Sequence, residues 1–594
     1  MKTNQWLTFV RRGLFFYALV VLPARGQFGP PYIYSAVNSA NYDSNIAQGS
    51  LFVVFGANIG PAQIVRAGSY PLPTQVGGTA ISVIAGSTTY PCPMVYSLAG
   101  QAAAVMPSNV PPGQAMVMLN YNGQATPFPA FTNVVPSAVG IFTVSSSGLG
   151  PGVVTAVDGT VKTFAVTAKT GETVIAWATG LGPISGPDNV IPPTFPSFPG
   201  VEVFVGTSSA NVVYAGRSGC CAGVDQIAFE VPAGTAGCYE PVVVRSGGKI
   251  SNFVSMAVNN TGAPCSDTAP TIPVAIMNRA LAEQPVTMAA LAAGPLGELR
   301  GLGFRPEQAL AEKLSALLHA KVSPPDVSKL LRASHSPRAL NRAMAKYAAA
   351  YRALDPAAKE AIRRAINLTQ EGAFAAFGQY TTAGTLAAAV GGLFPSQGTC
   401  NVFNLAGGPL STASSKGFDA GTSLALSGPA GAWTLAPVGS GQYQVMFGST
   451  PSGPNLPPGT YTISTSGGRD VGGFSAALNV GGNLVWTNKA AVSSVDRTQP
   501  LNLTWSGGTT PGYVLLGGYA ESNPGGHKGF VCVEDTTKGS FTVPSFVLSA
   551  LPATASGGVL FIGPHPLSRQ VPIPGVDFAY FIDGSSDSKS VAYQ

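Results

Sequence analysis

Residues Gly223–Val258 read GVDQIAFEVPAGTAGCYEPVVVRSGGKISNFVSMAV. Short apolar, β-branched runs such as Pro241–Val244 are cut here by Gly, Pro, Asn and Ser turns, the pattern of antiparallel strands rather than helices. The same texture extends N-terminally through Val201–Val205 and Leu51–Phe55. Turn signals recur every 8–15 residues from Gln27 to Cys265. That spacing favours β-sandwiches over a parallel sheet with crossover helices.

The stretch is the end of a unit used twice. QGSLFVVFGANIGP (48–61), GGTAISVIAG (77–86) and AAAVMPSNVPPGQAMVMLNYNG (102–123) come first. TGETVIAWATGLGP (170–183), GVEVFVGTSSANVVYAG (200–216) and the stretch above follow in the same order. Each copy runs from a strand into a Gly-rich turn, through a central strand pair, to a VP…G turn and a further strand. One supersecondary unit repeated is the reading. PLPTQVGGTAISV (71–83), YAGRSGCCAGVDQIAFEVP (214–232) and GGKISNFVSMAV (247–258) resemble the β-sandwich module of secreted acidobacterial proteins, the uncharacterised Solibacter-type C-terminal domain. That module is similar to IPT/TIG immunoglobulin-like folds. AGQAAAVMPSNVP (99–111) stands where the family carries a Gln-Ile-Asn segment, so the first copy is divergent. The resemblance covers about residues 33–258. It implies tandem Ig-like sandwiches in a secreted setting, and no activity.

Composition sets outer limits. Of 594 residues only 10% are charged and 45% are hydrophobic, against about 25% charged in an ordinary soluble domain. Packed cores are possible, and the composition argues against a disordered tail, a collagen, a coiled coil and a nucleic-acid binder driven by bulk charge. Lys2, Arg11 and Arg12 precede the apolar run Leu14–Leu22, and Ala24-Arg25-Gly26 has small residues at the positions a signal peptidase reads. The run is too short to span a bilayer, which takes about 20 residues. The expectation is a signal peptide over 1–26, cleaved near Gly26, and a secreted or envelope location. The signal holds four basic residues, so most of the +6 net charge belongs to it.

Seven cysteines fit an oxidising compartment. Cys220 and Cys221 are neighbours, and the short ring between adjacent cysteines strains the linking peptide. The expected bridges are therefore 220–238 with 221–265, or 220–265 with 221–238. Cys400 and Cys532 are expected to close the C-terminal domain, leaving Cys92 a free thiol. No CxxC pair or nearby His favours zinc.

Residues 269–395 break the β pattern. Pro306, Ser323-Pro324, Ser336-Pro337 and Asp355-Pro356 look like helix starts. Helical spacing follows in Leu310, Leu314, Leu317; Val327, Leu330, Leu331; Leu340, Met344, Tyr347; and Ala358, Ile362, Ala365. A bundle of about four short helices is expected, with Ala373–Phe394 as a small-residue helix packed in it. Arg338, Arg342 and Lys346 line one helix face, either a solvated face or a weak site for an anionic partner. From Ser396 onward GTYTIST (459–465), NLVWTN (483–488), PLNLTWSGG (500–508) and GYVLLGGYAES (512–522) read as strands again, with VDFAYFIDGSS (576–586) a last strand before a frayed tail. The fold class is thus multi-domain and mainly β. It comprises a signal peptide at 1–26, Ig-like sandwiches at 27–145 and 146–268, a helical segment at 269–395 and a C-terminal β-sandwich at 396–594.

Motifs for chemistry are missing. The chain has no GxSxG, HExxH, GxxxxGK[ST] or EF-hand loop, and its four His stand singly. Glu534-Asp535, Asp577 and Asp583 are the carboxylates a glycosidase could pair. Trp177, Trp433, Trp486 and Trp505 are read as core, since Leu503 and Trp505 share a strand face. The expectation is an exported non-enzymatic binding or adhesion protein with no cofactor and no metal. Its partner is an unknown polysaccharide or envelope protein, not nucleic acid, and it has no stable membrane span. The rival reading is an extracellular polysaccharide-active enzyme with its site in the C-terminal β domain.

Overall fold

The computed structural model describes residues 29–192, 196–266, 270–295, 371–380, 395–404, 416–439, 441–446, 457–481, 484–508, 512–522, 526–565, 570–583 and 586–594. The chain is multi-domain and mainly β, and it divides into two compact units, 1–268 with Thr399–Val402, and 269–398 with 403–594.

In the first unit, one sandwich packs a sheet of strands ordered 32–38, 51–57, 101–105, 94–98, 65–66 on a second ordered 45–47, 130–135, 113–121, 79–85, 88–91. Alternation drives the packing. In Thr79–Ala85 the residues Thr79, Ile81, Val83 and Ala85 turn inward, and the strand meets Gly113–Tyr121 antiparallel with Val83 opposite Val117. Their core holds Phe52, Val54, Ile81, Val83, Met94, Val117 and Leu119.

The second sandwich is a continuous bent sheet through 140–141, 173–179, 225–230, 208–217, 202–205, 237–246 and 249–250. Ser208–Arg217 is shared: Ser208–Ala210 pairs with Glu202–Val205, and Asn211–Arg217, bulged between Val212 and Tyr214, pairs with Asp225–Glu230. Gly140–Ile141, placed by sequence in the first module, pairs with Ala178–Thr179 and so belongs to the second.

The second unit corrects the helical expectation at both flanks. A helix spans Val274–Leu281. Val286–Pro295 and Glu371–Tyr380, however, are antiparallel strands, registered from Val286 opposite Tyr380 to Pro295 opposite Glu371. Phe578–Asp583 pairs parallel on the other edge of Val286–Pro295. Alanine favours helix intrinsically, but pairing on both edges and burial on both faces override it. Ala289, Leu291 and Ala293 line one face with Ala375, Phe377, Ala579 and Phe581, in a core shared with Leu424, Tyr443, Tyr461 and Leu478. Met288 and Ala292, on the opposite face, are buried too. The helical heptads from Leu310 to Ala365, with Arg338, Arg342 and Lys346, lie outside the described residues.

The remaining strands follow the sequence reading, with Gly459–Gly467, Leu501–Ser506 and Tyr513–Ser522 in place. The expected frayed tail is instead a strand, Asp587–Tyr593, antiparallel to Thr554–Pro564, with Tyr593 1% exposed. Burying that terminal ring anchors the segment. No helix among the described residues is long and apolar enough to cross a membrane.

Candidate functional site

The cysteine pairing differs from expectation. Cys220 bonds to Cys221, and Cys238 to Cys265 with Cα atoms 5.6 Å apart. Geometry explains why. Cys220 and Cys221 sit in the turn between Ser208–Arg217 and Asp225–Glu230, whereas Cys238 starts the strand that follows Glu230. The six-residue strand between them spans about 20 Å, so no bridge from the turn reaches Cys238. Cys400 and Cys532 are both disulfide-bonded. Cys92 is a buried thiol, and burial raises its pKa far above the ordinary value.

Three of the four candidate carboxylates are tied to backbone or side-chain partners. Asp535 caps the 3-10 turn Thr536–Lys538, accepting from Thr537 N at 2.7 Å and Thr537 Oγ1 at 2.6 Å, the first causes that lower its pKa. Glu534 accepts from Gln397 Nε2 at 3.1 Å. Asp577 accepts from Arg279 Nη1 at 2.6 Å and from Thr287 N and Oγ1, both at 2.8 Å. The Asp583 side chain lies outside the described residues. Trp177, Trp486 and Trp505 are buried, their indole N–H groups donating to Thr155, Asn488 and Thr536. Trp433 is half-buried against Tyr461.

Two constellations stand out, both in the first unit. One is the junction of its sandwiches. Arg217, 1% exposed, pairs through Nη1 with Asp225, 0% exposed. Its Nη2 donates to Gly49 O of the first sandwich at 2.7 Å and to Gly182 O of the second at 2.6 Å. Asp225 also accepts from Leu181 N at 2.9 Å. Burial pushes the Asp225 carboxyl up, while Arg217 and the backbone donors pull it back. Gly49 holds φ +68°, and a Cβ there would strike Arg217 Nη2. Around this pair Asp188 accepts from Ser108 N at 2.7 Å and Ser108 Oγ at 2.6 Å. Thr179 Oγ1 accepts from Leu51 N at 2.8 Å and donates to Gly223 O at 2.7 Å. Leu51, Leu72 and Val105 pack there on Trp177, Ala222 and Val224, with the Cys220–Cys221 turn against them. The pair and the surrounding contacts fix one sandwich on the other.

The second constellation is the outer face of the sheet built on Thr79–Ala85 and Gly113–Tyr121. Register places Phe131, Met116, Ile84 and Thr89 in one row across four strands. Met118, Ser82 and Pro91 form the next, and Asn120 and Ala80 the third. A solvated sheet face is normally polar. This one carries Phe131 at 73% exposure, with Phe128 at 66% in the preceding loop. A depression of about 380 Å³ lies over the second and third rows, walled by Thr74, Gln75 and Ala125. No charged residue occurs between Arg66 and Asp158. That gap is the sequence signal that points toward this face.

No family model matches the chain, and no curated protein matches it. Solved structures are similar over part of it. A Bacteroides thetaiotaomicron structural-genomics protein of unknown function is 10% identical over 37% of this chain and 47% of its own, with a TM-score of 0.14. SGBP-B of the Bacteroides ovatus mixed-linkage glucan utilization locus, solved with a mixed-linkage heptasaccharide, is 10% identical over 40% and 47%, TM-score 0.18. The Yersinia pseudotuberculosis adhesin InvE is 14% identical over 39% and 61%, TM-score 0.13. The chain spans about half the length of the first two.

Proposed function

We propose that this chain is an exported, non-enzymatic binding protein of the cell surface or extracellular space. The observation that carries the reading is the junction: a buried Arg217–Asp225 pair whose guanidinium also bonds carbonyls from both sandwiches. A catalytic site needs groups left to act on a substrate. Here the buried ion pair is spent on fixing two low-charge β modules in one orientation, as suits a protein that presents a surface. Disulfides accord with an oxidising, extracellular setting, and the basic–apolar–small pattern of residues 1–26 supports export. Asp535 and Asp577 accept from backbone and side-chain donors, and Glu534 from Gln397, contacts that suit structural roles.

The test uses the chain without residues 1–26, offered to polysaccharide arrays and isolated envelope fractions. Saturable retention with no release of reducing ends is expected. Release of reducing ends would establish the enzyme instead, and no retention on any surface would end the binding reading.

A further inference from the structure

We infer that the outer face of the Thr79–Ala85/Gly113–Tyr121 sheet binds a neutral polysaccharide chain. The inference rests on the reading of this chain as a binding protein and names the site and the ligand class.

Exposed apolar side chains in one patch mark contact surfaces in soluble proteins, and here backbone register assembles the patch. Met118 and Pro91 flank Ser82 on the two neighbouring strands. The depression above them, about 380 Å³, has room for one or two sugar rings. Its lining mixes apolar surface with neutral hydrogen-bonding groups. Asn120 Oδ1 accepts from Gly123 N at 2.9 Å, which orients that carboxamide. Gln75, which also lines the depression, donates from Nε2 to Gly78 O at 3.3 Å. A carboxamide so held still presents N–H donors on Asn120 and a carbonyl acceptor on Gln75. Pyranose hydroxyls both donate and accept, so they match such walls. Their ring C–H groups suit Met118 and Pro91 in the depression, and the exposed ring of Phe131, one row away on the same face, offers a further negative ring face.

Charge selects among ligands. An anionic or cationic polymer would lose hydration on this face and find no countercharge, because Arg66 and Asp158 bound a wholly uncharged stretch. A nucleic acid or acidic glycan is therefore disfavoured and a neutral glycan is not. A second copy of the chain is the competing occupant of an apolar face, and the experiment separates the two.

The chain without residues 1–26 is titrated against neutral glucans, mannans and galactans, with alginate and hyaluronate as charged controls. Ser82→Arg, Phe131→Ala and, in the second sandwich, the exposed Val213→Lys are run in parallel. All three positions face solvent, and unchanged thermal midpoints show that the variants fold. Binding to at least one neutral polymer is expected, insensitive to salt since no ion pair is made. Ser82→Arg should weaken it at least tenfold and Phe131→Ala severalfold, while Val213→Lys leaves it unchanged. Retention only on charged polymers, or neutral binding that survives Ser82→Arg, overturns the inference but leaves the binding reading standing. Absence of binding to every polymer and envelope fraction ends both. Sedimentation that shows a dimer dissolved by Ser82→Arg would reassign the face to self-association and overturn the inference as well.

Discussion

Arg217 and Asp225 illustrate how a buried charge acts through what surrounds it. Two ions removed from water cost several kcal/mol each, and only good geometry restores the balance. Here every strong contact of the guanidinium is to a carboxylate or a backbone carbonyl. Removing one partner strands the other: Asp225→Ala is expected to lower unfolding free energy by about 3–5 kcal/mol in urea titration, whereas the apolar pair Arg217→Met with Asp225→Leu should cost markedly less. A smaller loss for the single variant than for the double would show that the pair is not the determinant. His565 offers a pH test in the other unit. It is fully buried, and burial lowers its pKa to about 3 from the ordinary 6.5. The folded value lies below the unfolded one, so between them the unfolded chain holds the extra proton. Stability of the C-terminal domain should therefore be full above about pH 6.5 and fall as pH drops toward 3. His565→Phe should flatten that slope, and thermal midpoints across the window measure it; an unchanged slope would place the acid sensitivity elsewhere.

Elements show what the sequence could and could not reveal. The strands at Glu202–Val205 and Leu501–Ser506 were legible because alternating burial leaves a period of two in the residues, and Leu51–Ala57 because it is a short apolar, β-branched run bounded by turns. Val286–Pro295 and Glu371–Tyr380 were not, because both faces are buried and Ala fills both. Without alternation the Ala content reads as helix, and the partner that decides otherwise, Phe578–Asp583, lies almost 300 residues away in the chain. The candidate sheet face was hidden for a related reason: Met116 and Met118 look like core until the register shows them facing out. The disulfide pairing depended on which end of a strand each cysteine occupies, which spacing does not encode. The strand pair has a direct test. Pro295 stands opposite Glu371 at the end of the ladder, so a two-residue Asn-Gly turn can replace residues 296–370. The shortened chain is expected to keep its far-UV spectrum of β-sheet and to melt as a cooperative domain. Loss of folding would mean that the intervening residues help hold the two strands together.

At the scale of the whole molecule, the first unit contains two sandwiches with separate cores, and the junction determines whether they behave as one body. Seven buried residues form an apolar cluster at that seam, beside the Arg217 clamp, the Asp188–Ser108 contacts and the Thr179 bridge. Contacts of this number and burial exceed what a flexible inter-domain hinge carries, where relative motion is the default. Cooperativity follows: opening the first sandwich takes Gly49 O away from Arg217 and bares the apolar seam, and opening the second removes the clamp itself. A fragment covering residues 29–266 should thus show a single calorimetric transition whose van't Hoff and calorimetric enthalpies agree. Asp188→Ala with Thr179→Ala removes two of the polar links, each costing about 1–3 kcal/mol where a buried group is left unsatisfied. That variant is expected to split the transition into two, with the clamp alone no longer sufficient to couple the cores. Two resolved transitions in the unaltered fragment would instead make the sandwiches independent beads, and a surface fixed across them would lose its structural basis.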